Sequence, residues 1–311
     1  MSLRLTLVNL ALRVTVKRKL ARLATPPEMR ALFERQAAHL LRGPADAHVI
    51  AERIPRDTDA AGAPGGWIGA LWCAAGRPDR HRVILYLHGG AFIAGSSATH
   101  WRLAAALGQA AGARVLVPDY RLAPEHPLPA ATDDALTAYR FLLGRGIAPG
   151  RIALAGDSAG GGLAFLLASR IEREGLPPPA AIVGFSPWTD LSCTGESLAR
   201  NARRDPMLPA SRVREASALA RGPRPPDDAE VSALHAPLRA PPPCLIFAGR
   251  DEILVDDARA MARALGQAGG DVRLEIWPRV PHGWPLFTGW IPEAASALTL
   301  AGTFIARHTP G

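Results

Sequence analysis

The stretch Arg151-Ile-Ala-Leu-Ala-Gly-Asp-Ser-Ala-Gly160, continued by the small residues from Gly161 to Ser169, decides the fold. Its first five residues form a short apolar run that reads as a buried strand, and the small-residue stretch after it reads as a helix. Between them, Gly156-Asp-Ser-Ala-Gly160 fills the pattern G-x-S-x-G, a sharp turn that lifts a serine hydroxyl above the end of a sheet. Glycines flank such a serine because a Cβ there would clash with the neighbouring strand and helix. Ser158 is therefore the candidate nucleophile. Its rival reading is a helix N-cap, a position that serine favours.

A nucleophilic serine needs a base, the base needs a carboxylate to orient it, and the developing oxyanion needs donors. Downstream, the apolar strand Cys244-Leu-Ile-Phe-Ala248 runs into Gly249-Arg-Asp251, which puts Asp251 where the acid belongs. Glu252, Asp256 and Asp257 compete with it as charges at the start of a helix, where the dipole favours acids. Val272-Arg-Leu-Glu-Ile-Trp277 alternates like a strand, and the loop after it holds Pro281-His-Gly-Trp284. His282 is the candidate base. His308 also follows in order, but it lies in the polar tail His308-Thr-Pro-Gly311 with no strand before it. Upstream, the strand Arg82-Val-Ile-Leu-Tyr-Leu87 runs into His88-Gly-Gly-Ala-Phe92. Consecutive glycines let the backbone amides of Gly89 and Gly90 face a reacting carbonyl together with that of Ala159, each donor contributing about 3 kcal/mol.

These blocks, His88-Gly-Gly-Ala91, Asp119-Tyr-Arg-Leu-Ala-Pro-Glu-His-Pro127 and Gly156-Asp-Ser-Ala-Gly160, resemble in residues, order and spacing those of the bacterial hormone-sensitive-lipase-like carboxylesterases. The resemblance continues through Ser186-Pro-Trp-Thr-Asp-Leu191, Asp251 with Asp256, and His282, and so spans roughly residues 70 to 290. It implies an α/β-hydrolase fold, a mostly parallel sheet flanked by helices with a small helical cap. The implied activity is hydrolysis of short- to medium-chain carboxylic esters through an acyl-enzyme, without a cofactor. By the same resemblance His88 anchors the oxyanion loop and transfers no proton. The family most often has a third glycine where this chain has Ala91, which still donates its amide. Two other functions fit related chains: arylformamidases share this oxyanion loop and triad, and some relatives that lost the histidine serve as small-molecule receptors.

In the segment Asp119 to Pro127, prolines fix an extended path, and Asp119, Arg121 and Glu125 are expected to pair with one another or with backbone beneath the oxyanion loop. Ala47 to Arg53 and Trp67 to Ala74 read as an antiparallel edge before the parallel core. Residues 1–45 and about 192–236, rich in Arg, Ala and Leu, read as cap helices, leaving 46–311 as the α/β-hydrolase core that carries the second cap insertion. The apolar start, Leu3 to Val16, is interrupted by Asn9 and Arg13 and falls short of the ~20 residues that span a bilayer, so a cap helix is preferred to a signal peptide or anchor, with peripheral membrane contact as the minor alternative.

The formal charge of +8 comes from arginines spread along the chain without a recognition motif or aromatic row, which argues against a nucleic-acid partner. The histidines lack metal-ligand spacing, so no catalytic metal is expected. Cys73, Cys193 and Cys244 lack paired spacing, as in a reduced, cytoplasmic protein. A homodimer through an edge strand or terminal helix is the expected assembly.

Overall fold

The computed structural model describes residues 2–22, 25–56 and 65–310. In chain order the helices and strands are α1 (Leu3–Leu12), α2 (Arg18–Arg22), α3 (Pro26–Leu40), β1 (His48–Pro55), β2 (Trp67–Ala74) and β3 (Asp79–Leu87). There follow α4 (Ser97–Ala111), β4 (Ala113–Pro118), α5 (Ala130–Gly144), β5 (Ile152–Asp157), α6 (Ala159–Arg173) and β6 (Ala181–Phe185). The chain ends with α7 (Ser197–Arg200), α8 (Val213–Arg221), β7 (Cys244–Gly249), α9 (Val255–Gln267), β8 (Val272–Trp277) and α10 (Pro292–His308). A π-helical turn, Arg13–Lys17, joins α1 to α2.

The eight strands form one sheet in the order β1-β2-β4-β3-β5-β6-β7-β8. Strands β1 and β2 pair antiparallel with each other, β2 pairs antiparallel with β4, and every pairing from β4 to β8 is parallel. The antiparallel edge expected from residues 47–53 and 67–74 is thus present.

Parallel strands covered on both faces must be apolar on both faces, and the two-residue period divides each strand between two cores. Along β3, Val83, Leu85 and Leu87 join one core while Ile84 and Tyr86 join the other. Along β7, Cys244, Ile246 and Ala248 face the first and Leu245 and Phe247 the second. Side chains of α5, α6 and α9 complete the first core; those of α4 and α10, with Leu5 of α1, complete the second. The three cysteines are buried free thiols, and burial pushes that of Cys73 up to about 12 and that of Cys193 up to about 11.

Because β3, β5, β7 and β8 run the same way, the loops after all four emerge at one edge of the sheet, the edge where open α/β sheets place their ligands. Those loops begin with His88, Ser158, Arg250 and Pro278.

On the second face, α10 crosses α4 so closely that a Cβ on Gly302 would stand 2.4 Å from the carbonyl carbon of Ala110. Gly302→Val should therefore force the two helices apart and destabilise the fold by about 2–3 kcal/mol, read as a lowered urea midpoint. An unchanged midpoint would show that the contact yields freely.

Candidate active site

Strand β5 ends at Asp157, α6 begins at Ala159, and Ser158 between them is held at φ 54° and ψ −122°. A side chain in that region of backbone space is strained and persists only where the surroundings fix it. Here the Ser158 amide donates to the Phe185 carbonyl at 2.9 Å, while its own carbonyl accepts from Gly162 at 3.0 Å and Trp188 at 2.9 Å. The close packing explains the glycines: a Cβ on Gly160 would lie 2.0 Å from the Leu87 carbonyl oxygen.

His282 lies in the loop after β8 and is 3% exposed. Its turn is pinned by the Gly283 amide, which donates to Ser186 Oγ at 3.1 Å. The ring's Nδ1 is 2.6 Å from Glu252 Oε2, and Nε2, across the ring, is buried with no hydrogen-bond partner among the described residues. Burial opposes a charged imidazolium, but the Glu252 carboxylate outweighs it, with smaller help from Asp205 and Asp157, and holds His282 above its ordinary value.

Glu252, and not Asp251, therefore stands beside the histidine. Glu252 is fully buried, its Oε1 accepting from the Gly249 amide. Asp251, expected in that place, turns outward instead; its nearest basic group is Arg250 at 3.5 Å, and it lines a groove beside α1. The two residues are neighbours on a tight turn, so their side chains leave in different directions. Ile253 and Leu254 after Glu252 are buried too, but no local signal says which of the two adjacent acids turns inward.

The oxyanion loop also differs from expectation. The Gly89 amide donates to Asp157 Oδ1 at 3.0 Å and is not free to face a substrate. Gly90 and Ala91, not Gly89, line the cavity that holds Ser158 and His282. Gly90 sits at φ 126°, where a Cβ would meet the Ala94 carbonyl oxygen at 2.1 Å. Ala91 adopts φ 57° despite its methyl group. The Ala159 amide is at the N-terminus of α6, where helical amides lack intrahelical partners. His88 is buried beneath the loop, stacked on Tyr120 at 4.1 Å between centroids, with Nδ1 2.9 Å from the Gly89 carbonyl. Burial first, then the nearby His100, pushes it down to about 3, so it is neutral at any working pH.

The cavity, of about 130 Å³, is mostly apolar; besides the reactive end, Thr25, Arg212 and Glu215 are its polar lining residues. Helices α2 and α3 contribute Leu20, Met29 and Phe33, the segment after α7 contributes Met207 and Leu208, and α8 contributes Val213 and Leu219. Trp188 and Leu254 belong to the sheet's loops.

Residues 84–286 match the model of a family described as having the alpha/beta hydrolase fold. An acetyl-hydrolase of Streptomyces hygroscopicus is 42% identical over 240 residues, covering 77% of this chain and 80% of that protein. The esterase LipU of Mycobacterium tuberculosis is 37% identical over 234 residues, 73% of this chain and 78% of its own length. The crystal structure of an esterase from the bacterial hormone-sensitive lipase family superposes with a TM-score of 0.89 at 38% identity, covering 100% of this chain and 99% of that one. The chain belongs to the bacterial hormone-sensitive-lipase family of α/β-hydrolases. It is a carboxylic ester hydrolase.

In this hydrolase the segment before α8 does more than line the cavity. Asn201 Nδ2 donates to the carbonyls of Arg250 at 3.1 Å and Glu252 at 2.9 Å. Buried Asp205 accepts from the Ile253 amide at 3.0 Å through Oδ2 and from Met207 and Leu208 amides at 2.8 and 2.9 Å through Oδ1. The turn that carries Glu252 is thus held from the cavity wall. Asp119, Arg121 and Glu125 pair outside their segment and not with one another: Asp119 with Ser97, Arg121 with Asp134, and Glu125 with Arg30 of α3.

Glu252→Gln should lower kcat by about 10³ to 10⁴ fold, whereas Asp251→Asn should stay within about threefold of wild type. His282 must be neutral to accept a proton, so the acid limb of the kcat/KM profile should inflect above pH 6.5, the ordinary histidine value, and move to lower pH in Glu252→Gln. The reverse ranking of the two variants would restore Asp251. Separately, Asn201→Ala should lower kcat by about tenfold or more with little change in KM, since it loosens the acid without touching the cavity.

Proposed function

We propose that Ser158, His282 and Glu252 act as nucleophile, base and orienting acid in hydrolysing short- to medium-chain carboxylic esters. The observation that carries this reading is the Nδ1 bond to Glu252 at 2.6 Å, which leaves Nε2 unpaired on the cavity that Ser158 also lines. With Nδ1 protonated toward Glu252, Nε2 is the basic nitrogen and takes the Ser158 proton as Oγ attacks the ester carbonyl. The amides of Gly90, Ala91 and Ala159 receive the oxyanion, each contributing about 3 kcal/mol to the barrier. The imidazolium then protonates the leaving alcohol. Water, deprotonated by the same nitrogen, releases the acid from the acyl-enzyme through a second tetrahedral intermediate in the same donors.

His88 has a supporting role. Neutral and stacked, it gives the oxyanion loop a rigid floor. The helical segments within 1–45 and 192–236 form a cap over the acyl site. Their Met29, Phe33, Met207 and Leu208 offer apolar surface to an acyl chain. The roof is tethered as well as packed: Arg30 of α3 binds Glu125 at 2.6 Å and donates to the Ile93 carbonyl at 2.8 Å. A roof held this way limits chain length.

Turnover of nitrophenyl esters from acetate to palmitate tests the reading. kcat/KM should peak between acetyl and octanoyl, and Ser158→Ala should lose about 10⁵ to 10⁶ fold in kcat. A maximum at palmitate would make the cap a mobile lid, and turnover that survives Ser158→Ala would remove the nucleophile assignment. Within this scheme Phe33→Ala should shift the optimum to longer chains, measured as the ratio of octanoyl to butanoyl kcat/KM rising about tenfold.

A further inference from the structure

The helical run from Leu3 to Arg22 exposes more apolar surface than its packing requires. Leu3, Leu7, Leu10 and Val14 are 77%, 59%, 59% and 50% exposed, and their spacing of four, three and four residues sets them on one face. The inward side is Leu5, Leu12 and Val16, all buried. This run is fixed to the body at four places. Ser2 bonds Glu293 through its amide at 2.7 Å, and Asn9 donates to the Arg279 carbonyl at 2.7 Å. Arg13 donates to the carbonyls of Arg203 and Arg204 at 2.8 and 2.5 Å, and Lys17 to those of Ala202 and Asp205 at 2.7 and 2.6 Å. The leucine face is therefore presented outward in a set orientation.

Charge says what the face meets. Between Ser2 and Arg22 the sequence has no acidic residue, and Arg4, Arg18, Lys19 and Arg22 are exposed. Beside α1 runs a groove lined by Leu5, Leu10, Arg13, Arg204 and Arg279, in which Asp251 is the one carboxylate among the described residues. The guanidinium groups of Arg204 and Arg279 have no acidic partner among the described residues, and both residues are exposed. A leucine stripe bordered by cations and almost free of anions matches the boundary of an anionic bilayer, apolar inside and negative at the headgroups. It does not match a second copy of itself, which would bring these cations against their own equivalents.

We propose that the helical run 3–22 seats this enzyme on an anionic phospholipid surface, with Leu3, Leu7, Leu10 and Val14 entering the acyl boundary and the exposed arginines and lysine meeting lipid phosphates. Leu20, on the same run, lines the catalytic cavity, so docking sets the enzyme's mouth close to ester substrates dissolved in the membrane. No described helix is long and apolar enough to cross a membrane, and the attachment is peripheral.

Co-sedimentation of the full chain with phosphatidylglycerol vesicles and with phosphatidylcholine vesicles tests this, comparing wild type with the double variant Leu3→Glu, Leu7→Glu. Wild type should pellet with the anionic vesicles, release as salt rises, and bind phosphatidylcholine at least roughly tenfold more weakly. The double variant should lose roughly tenfold or more in vesicle affinity. Its hydrolysis of soluble nitrophenyl butyrate should stay at the wild-type rate, which also reports that it is folded. Equal vesicle binding by the double variant would overturn the assignment of the surface, and absence of binding to anionic vesicles would overturn the proposal altogether. A wild-type dimer that the double variant dissociates, seen by light scattering without vesicle binding, would reassign the stripe to self-association.

Discussion

One buried carboxylate organises the reactive edge of the sheet. Asp157 closes β5 immediately before Ser158, and a charge in that position must find partners or be lost. It accepts from Tyr86 Oη at 2.7 Å and from the Gly89 amide at 3.0 Å, with His100 Nε2 3.5 Å away. Burial alone would raise its affinity for a proton, yet His100 and Tyr86 outweigh burial and keep it below the ordinary carboxylate range. Asp157 thus ties the nucleophile turn to the oxyanion loop through a single oxygen. It also uses up the Gly89 amide, leaving Gly90 and Ala91 as the residues of that loop that line the cavity.

The same logic recurs at the other end of the site. Glu252 is buried because Asn201 and Asp205, themselves buried, bind the backbone on both sides of it. Those two residues stand on the segment that leads to Met207 and Leu208 in the cavity wall, and the carbonyls of Ala202, Arg203, Arg204 and Asp205 on that segment accept from Arg13 and Lys17 of the first helical run. The cavity wall, the turn that carries Glu252 and the N-terminal helices are therefore joined by hydrogen bonds. A change that breaks the Asn201 or Asp205 bonds reaches the histidine through Glu252. Lys17 shows the cost of such tying: burial lowers its proton affinity, and the negative field of Asp205 offsets part of that.

Much of this was legible in the chain as written. The strand-turn-helix around Ser158 is local, since its apolar run, glycines and small-residue helix lie within about twenty residues. So are the loops that offer His282 and the paired glycines, because each follows a strand whose pattern can be read. The antiparallel edge was equally plain. What could not be read was direction. Asp251 and Glu252 are adjacent acids in a turn, and one residue's difference reverses which side chain points into the protein. The segment Asp119 to Pro127 suggests that Asp119, Arg121 and Glu125 pair with one another or with backbone beneath the loop, but Arg121 takes Asp134 from the next helix and Glu125 takes Arg30 from α3, distant in sequence.

The sequence by itself determined the family and brought Ser158 and His282 forward as candidates, because a sharp turn and a strand end leave marks in consecutive residues. Only the tertiary structure decided that Glu252 takes the histidine, that Gly89 gives its amide to Asp157, and that one face of α1 remains uncovered. Each of these is a choice among groups of similar chemistry, settled by which partners folding brings within about 3 Å, and such proximity between distant segments leaves no trace in local pattern.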